Sequence, residues 1–347
     1  MVALALLMTW RSQLSYNPQS LPVKESLVKE GRCTISVVSP VHNERENIRP
    51  FLMEVKRHLD ALRLEAAYEI IFVNDGSGDG SGVALDTCAD EFPDIVTVVH
   101  LARNFGMEPA IHAGLDLACG DAVIIMDADM QDDPAAFATF VEKWREGYEV
   151  VYAVRSSRQE GPVRRALFWS FYRILGWIAN IPLPADASNF ALMDRHVVDT
   201  LRTMPERNRF LRGLRAWVGF RQTGVPVARR ARYDKKTRLG FRGQWKLAMN
   251  AIFAFSYVPI FVFRIAGALT LLFSLGLILW ALYYKLIAGL ELRAWASILI
   301  ATSFIGGINL FGLGVIGEYV ARIHDEVKGR PNYIVRRMAG KRGARDG

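Results

Sequence analysis

Short apolar runs alternate with segments of helical spacing through the first half of the chain. The apolar runs predict strands over residues 33–39, 68–73, 95–101 and 122–126. Between them, apolar side chains recur three and four positions apart, which predicts helices over 47–64, 84–89 and 108–118. Short apolar strands joined by helices are typical of a parallel sheet that is covered on both faces. The pattern therefore predicts an α/β fold.

The last third of the chain has a different pattern, with two long runs that carry no charge. They cover residues 265–284 and 294–317, and each is long enough to cross a hydrocarbon core of roughly 30 Å. Because the link over 285–293 is short, we expect a helical hairpin. Basic residues on its flanks predict that both termini lie in the cytoplasm, on the inner face of the plasma membrane. Two buried core helices remain the alternative.

Positive charge is concentrated in parts of the chain. Its 347 residues carry a net charge of +8, and residues 202–246 hold 14 Lys and Arg against Glu206 and Asp234. Such a region fits an anionic membrane surface or a nucleic acid. Residues 163–178 and 241–257 are amphipathic, so each either lies on the bilayer or is an ordinary domain helix.

The cysteines and the N-terminus bear on the compartment. Cys33, Cys88 and Cys119 lie far apart without the spacing of metal ligands, so we expect buried thiols in a reducing compartment. The first residues are apolar, but the run is short and has no basic segment before it. A cleaved signal peptide is therefore not expected.

Two acids follow the fourth predicted strand. Asp127 and Asp129 are two positions apart, so they point the same way if the strand continues. Paired carboxylates beside apolar neighbours are costly unless a cation neutralises them. Oxygen ligands suit Mg²⁺ or Mn²⁺, and such an ion commonly also holds phosphate oxygens. The alternative is a polar junction between strand and loop.

Polar residues also follow the first and second strands. In a parallel sheet, ligands bind beyond the carboxyl ends of the strands. Asp75 precedes a glycine-rich stretch that does not match a dinucleotide-binding fingerprint, because its glycines are out of register. At this strand end, Asp75 is placed to accept hydrogen bonds from a nucleobase or ribose, or else to cap a turn.

Six motifs in order carry a resemblance to a known family. They are Pro40-Val41-His42-Asn43-Glu44, Asn74-Asp75-Gly76-Ser77, Arg103-Asn104-Phe105-Gly106, Asp127-Ala128-Asp129-Met130-Gln131-Asp132, Asp186-Ala187-Ser188-Asn189-Phe190 and Gly317-Glu318-Tyr319. With them, the chain resembles the family 2 glycosyltransferases of the GT-A fold. It is more similar to the polyprenyl-phosphate glycosyltransferases, which include bactoprenol glucosyltransferases and dolichol-phosphate mannose synthases.

The resemblance implies a domain organisation. It implies a GT-A catalytic domain with a Rossmann-like, mostly parallel sheet, followed by a transmembrane hairpin of two helices. The expected boundaries are a lead-in over 1–32, the catalytic domain over 33–235, a juxtamembrane amphipathic helix over 236–260, the hairpin over 261–322 and a basic cytoplasmic tail over 323–347.

The resemblance also implies roles for single residues. Pro40, His42, Glu44, Asp75 and Arg103 would bind the nucleotide-sugar, and Asp127, Asp129 and Gln131 would hold the metal with the donor diphosphate. Arg155, with Arg164 or Arg165, would bind the acceptor phosphate. Asp186 would orient the acceptor or a sugar hydroxyl, or serve a structural role. His42, Asn189 and Asp133 stand where the family more often has Tyr, Asp and Pro.

The implied reaction is an inverting transfer of a hexose to a membrane polyprenyl phosphate for modification of cell-envelope glycans. UDP-glucose is the first expected donor, and UDP-N-acetylhexosamine, UDP-amino-arabinose and GDP-mannose remain open. Small residues in the hairpin would permit a homo-oligomer. A processive polysaccharide synthase lacks support because the chain has no Gln-x-x-Arg-Trp motif. A non-catalytic membrane adaptor is the alternative from another class, and a nucleic-acid partner is not expected because no such motif is present.

Overall fold

The computed structural model of the chain describes residues 35–62, 67–155, 187–204, 206, 210–228, 258–286 and 295–340. Within these ranges, eight strands form one sheet. They are β1 (Ile35–Val41), β2 (Tyr68–Asn74), β3 (Val96–Leu101), β4 (Ala122–Ile125), β5 (Val150–Arg155), β6 (Ala187–Asp194), β7 (Gln222–Val227) and β8 (Val335–Gly340). Their spatial order is β7-β5-β6-β4-β1-β2-β3-β8.

The centre of the sheet is parallel, as the sequence predicts. β4, β1, β2 and β3 pair in parallel with their neighbours, and β6 and β8 flank this group as antiparallel strands. The four central strands are buried almost throughout, because helices cover both of their faces. Their carboxyl ends therefore share one edge of the sheet.

Helices of the first part of the chain form two layers. The elements are α1 (Arg45–Ala61), α2 (Ser81–Glu91), α3 (Met107–Leu117), α4 (Ala136–Arg145), α5 (Arg195–Thr203) and α6 (Leu211–Trp217). One apolar core lies between the sheet and α1, α2 and α4, and it includes Phe51, Phe72 and Phe140. The other lies between the sheet and α3, α5 and α6, and it includes Ile111 and Val198.

One glycine sets how closely α3 approaches the sheet. A β-carbon on Gly114 would overlap the side chain of Val38 in β1 and lie 3.2 Å from that of Val73 in β2. Only glycine permits this spacing between helix and sheet. The loop that precedes α3 is thereby held close to the ends of the central strands.

The predicted elements agree with the structure apart from shifts of a few residues at their ends. α2 is longer than expected because it begins directly after Gly80, whose φ of 88° is accessible to glycine at little cost. The prediction of buried thiols is wrong for Cys119, which is exposed, and correct for Cys88. Cys119 lies in the turn between α3 and β4, and such turns run over the surface. The lead-in and Cys33 lie outside the described residues.

The sequence pattern does not predict a strand at β8. This strand lies within the segment interpreted as a basic tail, and it pairs antiparallel with β3. Two side-chain contacts secure it, from Tyr333 to Asp116 of α3 at 2.6 Å and from Arg337 to Asp86 of α2. The chain thus returns to the sheet after the long apolar helices.

Two long helices, α7 (Val258–Leu286) and α8 (Trp295–Val327), contain the uncharged runs from 265 to 284 and from 295 to 317, and both continue beyond the C-terminal ends of these runs. Among the described residues, one segment, Phe304–Val327, is apolar and long enough to cross a membrane. The apolar stretch found in α7, Ile265–Gly276, is shorter. α8 continues past Gly317, where Glu318 and Arg322 form an i,i+4 ion pair, and it ends before Gly329, whose φ is 58°.

Candidate active site at the carboxyl edge of the sheet

The polar residues singled out in the sequence gather at one edge of the sheet. Parallel pairing sets Val41 of β1 beside Asn74 of β2, and Asn74 beside His100 of β3. On the other side of β1, Ile125 of β4 pairs with Val38. The loops that follow these four strands are consequently neighbours, as expected for a ligand site in a parallel sheet.

Asp75 joins two of these loops. It is buried, and its two carboxylate oxygens accept hydrogen bonds from the backbone N–H groups of Phe105, at 2.7 Å, and Gly106, at 2.9 Å. Charge-assisted bonds of this kind are stronger than neutral ones. Asp75 therefore fixes the loop before α3 in addition to any contact that it makes with a nucleotide.

His42 lies at the same junction. Its Nδ1 is 2.8 Å from the carbonyl oxygen of Asp75, and its Nε2 is 3.0 Å from Nδ2 of Asn104. Because a carbonyl oxygen can only accept, the contact with Asp75 requires Nδ1 to carry a proton. His42 thus links the ends of β1, β2 and β3.

Pro40 and Glu44 lie on either side of His42. Pro40 belongs to β1 and pairs with Val73. The Glu44 carboxylate is buried and accepts a bond of 2.6 Å from Nδ2 of Asn47, in the first turn of α1. Its backbone N–H donates to Oγ of Ser81 at the start of α2. The structure therefore brings both residues to this edge, with Glu44 bound into the helix starts.

Gly76 shows how tightly the loops are packed. Its φ is 60°, and a β-carbon would overlap the backbone of Arg103 and Asn104. Arg103 itself lies over the ring of Phe105, with its guanidinium carbon 4.2 Å from the ring centre, and donates to the carbonyl of Asn104. The loop after β3 therefore has one defined position against the loop after β2.

Asp127, Asp129 and Gln131 follow β4 directly. Oδ1 of Asp127 is shielded from solvent, and Oδ1 of Asp129 accepts a bond of 3.2 Å from the backbone N–H of Gln131. Between them, Met130 has a φ of 59°, which is rare for a side chain of this kind. Strained residues of this type occur most often at functional sites. Two carboxylates and an amide are the oxygen donors that Mg²⁺ and Mn²⁺ prefer, so these residues fit such an ion.

A second group of metal-ligand types lies elsewhere among the described residues. One ligand atom each of Glu54, His58 and Asp133 lies within 4.8 Å of the others. Glu54 and His58 belong to α1, and Asp133 precedes α4. None of the three belongs to the set predicted to bind the metal.

The residues predicted to bind the acceptor are less fully placed. Arg155 is the last residue of β5, which lies on the far side of β6 from β4. Arg164, Arg165 and Asp186 lie outside the described residues, as do the amphipathic segments over 163–178 and 241–257. Their roles therefore stay predictions.

A cluster of charged side chains lies between α3, α6 and β6, and the sequence pattern does not predict it. Oε2 of Glu108, in the first turn of α3, accepts a bond of 3.2 Å from the backbone N–H of Leu211. Burial raises the pKa of Glu108 to about 7, against the opposing effects of that bond and of Arg212 and Arg215. Arg212 donates to Oδ1 of Asn189 at 2.8 Å. The cluster joins α3, α6 and β6.

Arg215 is the buried member of this cluster. Its guanidinium donates to the carbonyl of Ser188 at 3.1 Å and lies 5.0 Å from the centre of the Tyr152 ring. Burial, and then the charge of Arg212, lowers its pKa to about 10. The spacing of arginines in a basic stretch does not reveal which one is buried, so only the fold identifies it.

Comparison with known proteins identifies the family of the chain. The family model described as glycosyl transferase family 2 matches residues 36–202. An uncharacterized glycosyltransferase of Synechocystis is 41% identical over 307 residues, which cover 88% of this chain and 96% of the relative. The chain belongs to glycosyl transferase family 2.

Other similar proteins carry more specific names. A prophage-derived bactoprenol glucosyl transferase of Shigella flexneri is 36% identical to this glycosyltransferase over 87% of the chain and 97% of the relative. Among solved structures, a mannosyltransferase from Pyrobaculum calidifontis in complex with GDP-Man and Mn²⁺ is 17% identical, with a TM-score of 0.42 over 89% of this chain and 94% of the other. The matched family region covers β1 to β4, and thus every loop described above.

Proposed function

We propose that this glycosyltransferase transfers a hexose, with inversion, from a nucleotide-sugar to a polyprenyl phosphate at a membrane. UDP-glucose is the first expected donor. The observation that carries the proposal is the position of Asp127 and Asp129 at the end of β4, on the edge that also carries Asp75, in a chain that is similar over most of its length to proteins named bactoprenol glucosyl transferases. The same chemistry with UDP-N-acetylhexosamine, UDP-amino-arabinose or GDP-mannose is the alternative.

Asp127, Asp129 and Gln131 would hold a Mg²⁺ or Mn²⁺ ion at this edge. When bound, such an ion would stabilise the negative charge of the departing nucleoside diphosphate. The residues of the chain would position the two reactants. The nucleoside of the donor would be bound by Pro40, His42, Glu44, Asp75 and Arg103. The acceptor phosphate would be bound by Arg155 with Arg164 or Arg165. Asp186 would orient the acceptor or a sugar hydroxyl.

The reaction makes a small demand on acid–base chemistry. The acceptor oxygen attacks the anomeric carbon, the bond from that carbon to the diphosphate oxygen breaks, and its electron pair leaves with the nucleotide. A phosphate monoester is already an anion near pH 7, so no strong general base is required. Most of the acceleration would therefore come from positioning.

The proposed lipid acceptor accounts for the apolar surface of the two long helices. A polyprenyl chain stays in the bilayer, so an enzyme that uses it works at the membrane surface. Large apolar side chains such as Leu272, Leu310 and Leu313 are exposed on α7 and α8, as expected for helices in lipid. We propose that both helices span the plasma membrane as a hairpin over 261–322, with the catalytic domain over 33–235 and both termini in the cytoplasm.

The direct test offers the purified protein a panel of nucleotide-sugars together with undecaprenyl phosphate and Mn²⁺. Mass spectrometry of the lipid fraction then identifies the transferred sugar. We expect a glycosylated lipid phosphate with one donor preferred, and UDP-glucose before the others. If no donor gives a product while a labelled nucleotide-sugar also fails to bind, the chain acts as a membrane adaptor without catalysis.

The role of the paired acids has its own test. Asp129→Ala should lower turnover by several orders of magnitude, because a ligand to the proposed ion is lost, while the protein still enters membranes. Asp94→Ala is the matched control, since Asp94 is an exposed acid just before β3 at the opposite edge of the sheet. Near-normal turnover in Asp129→Ala would refute the role of this residue.

A further inference from the structure

The carboxyl edge of the sheet, which carries Asp75, Asp127 and Asp129, is called the donor edge. A cavity lies beside it, between the ends of β2, β3 and β8. Its volume is about 260 Å³, and its lining includes Asn74, Gly76, Ser77, Arg103 and both arginines of β8, Arg336 and Arg337. Gly76 and Ser77 directly follow Asp75, and Arg103 belongs to the loop that Asp75 holds. The cavity is therefore continuous with the residues proposed to bind the nucleotide.

The last strand of the chain forms one wall of this cavity. Because β8 runs antiparallel to β3, its first residues lie at the carboxyl edge, where Leu101 pairs with Val335 and His100 with Arg337. The backbone N–H of Ala102 donates to the carbonyl of Ile334 at 2.8 Å, which extends the pairing into the loop after β3. Residues that follow α8 are thus built into the donor edge.

The two arginines of this strand differ in their partners. Arg337 forms an ion pair with Asp86 of α2 through two contacts, of 3.0 and 2.5 Å. Burial raises the pKa of Asp86, but the hydrogen bond of Arg337 and the charge of His100 outweigh it, so the pKa is lowered overall. The charge of Arg337 is consequently balanced within the protein.

Arg336 takes no part in that ion pair, which joins Arg337 and Asp86. The pairing of β8 with β3 shifts register between His100 and Leu101, so Arg336 lies at an irregularity between the paired residues Val335 and Arg337. Arg336 lines the cavity, and within the described ranges no carboxylate forms an ion pair with it. A guanidinium offers five N–H donors and accepts none, so the group suits a ligand rich in acceptor oxygens.

Position along the sheet indicates which part of the donor reaches this cavity. Four strand spacings separate β4 from β8, and at about 4.8 Å each they amount to roughly 19 Å. The acids proposed to hold the diphosphate follow β4, so β8 lies toward the nucleoside. Carbonyl oxygens of the base and hydroxyls of the ribose are the acceptors available there.

We propose that Arg336, from the strand that follows the long apolar helices, binds the nucleoside portion of the donor and sets the affinity for it. This inference rests on the proposed function, because it assigns a residue to the same donor site. It adds a contribution from the C-terminal strand that the motifs of the first half do not contain.

The test compares Arg336→Met with Arg330→Met in the full-length protein. Methionine keeps an apolar stem and removes the donors, and Arg330 is an exposed arginine just before β8 that does not line the cavity. Calorimetry with UDP and Mn²⁺ should show binding that is at least about 10-fold weaker in Arg336→Met, as expected when a charged hydrogen bond is lost. Arg330→Met should stay within about twofold of the wild type.

Kinetics separate a binding role from a structural one. In Arg336→Met we expect the KM for the donor to rise by the same factor as the dissociation constant, with kcat, the acceptor KM and the melting temperature unchanged. Arg337→Met should instead lower the melting temperature, because it removes the ion pair between Arg337 and Asp86 that holds β8 against α2. Equal UDP binding by Arg336→Met and wild type, or an equal loss in Arg330→Met, would overturn the inference alone. Failure of the wild type to bind UDP or GDP would overturn it together with the proposed function.

Discussion

At the scale of single residues, backbone conformation marks the donor edge as clearly as charge does. Asn43 and Met130 are the described residues other than glycine with positive φ, and they lie in the loops after β1 and β4. Gly76 adds a third left-handed position, in the loop after β2. The site is therefore shaped by loops whose conformations few other residues tolerate.

Gly76→Ala tests this packing. The β-carbon would overlap the backbone of Arg103 and Asn104, so we expect the variant to be less stable by roughly 1–3 kcal/mol and to bind nucleotide more weakly. Gly78→Ala is the matched control, because no atom lies within 4 Å of a β-carbon there. Melting temperatures of the two variants give the comparison. Equal stability would show that the two loops can separate at little cost.

Much of the donor edge was predictable from sequence, because its residues are local to strand ends. Asp75, Asp127 and Asp129 each follow an apolar run, and parallel pairing brings such positions together whatever the details of packing. The Glu108 cluster was not predictable, since its members meet only through the tertiary contact of α6 with α3. For Asp75, the sequence left ligand contact and turn capping open, and the structure adds the two bonds to backbone N–H groups.

At the scale of elements, β8 is a strand that its own sequence pattern does not indicate. Its residues, Val335–Gly340, include two arginines and a glycine, and neither the apolar run nor the alternation of a typical strand is present. The segment becomes a strand because the edge of β3 offers unpaired backbone groups, because Asp86 pairs with Arg337 of the strand, and because Asp116 accepts a hydrogen bond from Tyr333 just before it. Helices α1 and α3 were predictable because their apolar spacing is long and regular.

Glu108 links two elements, and its ionisation gives a pH-dependent prediction. Its pKa is about 7 in the fold against 4.5 for the free side chain, so the folded state retains a proton that the unfolded state has lost. The free energy of unfolding should therefore decrease as pH rises from about 4.5 to 7, by about 3 kcal/mol from this group.

Glu108→Gln removes this ionisation while keeping a side chain that accepts from Leu211. We expect the wild type to lose stability relative to the variant as the pH rises from 5 to 8. The measurement is the difference between the melting temperatures of the two proteins at each pH. A difference that stays constant over this range would mean that Glu108 is ionised throughout, with Arg212 and Arg215 outweighing its burial.

At the scale of the whole molecule, the catalytic fold and the long helices are joined at both ends of the helical region. β7 precedes α7 in the chain, and β8 follows α8 and completes the sheet beside β3. Apolar side chains remain exposed along α8 in the segment Phe304–Val327. A membrane position for this helix would therefore also fix where the donor edge stands relative to the bilayer.

Leu310→Arg tests the membrane position of α8. Leu310 is 71% exposed within the apolar segment, and an arginine near the centre of a membrane helix costs about 2.5–3.5 kcal/mol of insertion free energy. The variant should be released from membranes by alkaline carbonate to a greater extent than the wild type. Val83→Arg is the control, because Val83 is equally exposed, at 71%, but lies on α2. Equal extraction of all three proteins would count against a membrane role for α8.

The place of β8 in the chain has a consequence for biosynthesis. The ribosome releases β8 only after both long helices, so the open edge of β3 stays uncovered while most of the polypeptide is being made. Open strand edges invite pairing with other chains, and pairings between distant segments form late. Correct maturation would thus depend on delivery of the helices to the bilayer before the nascent sheet meets another copy.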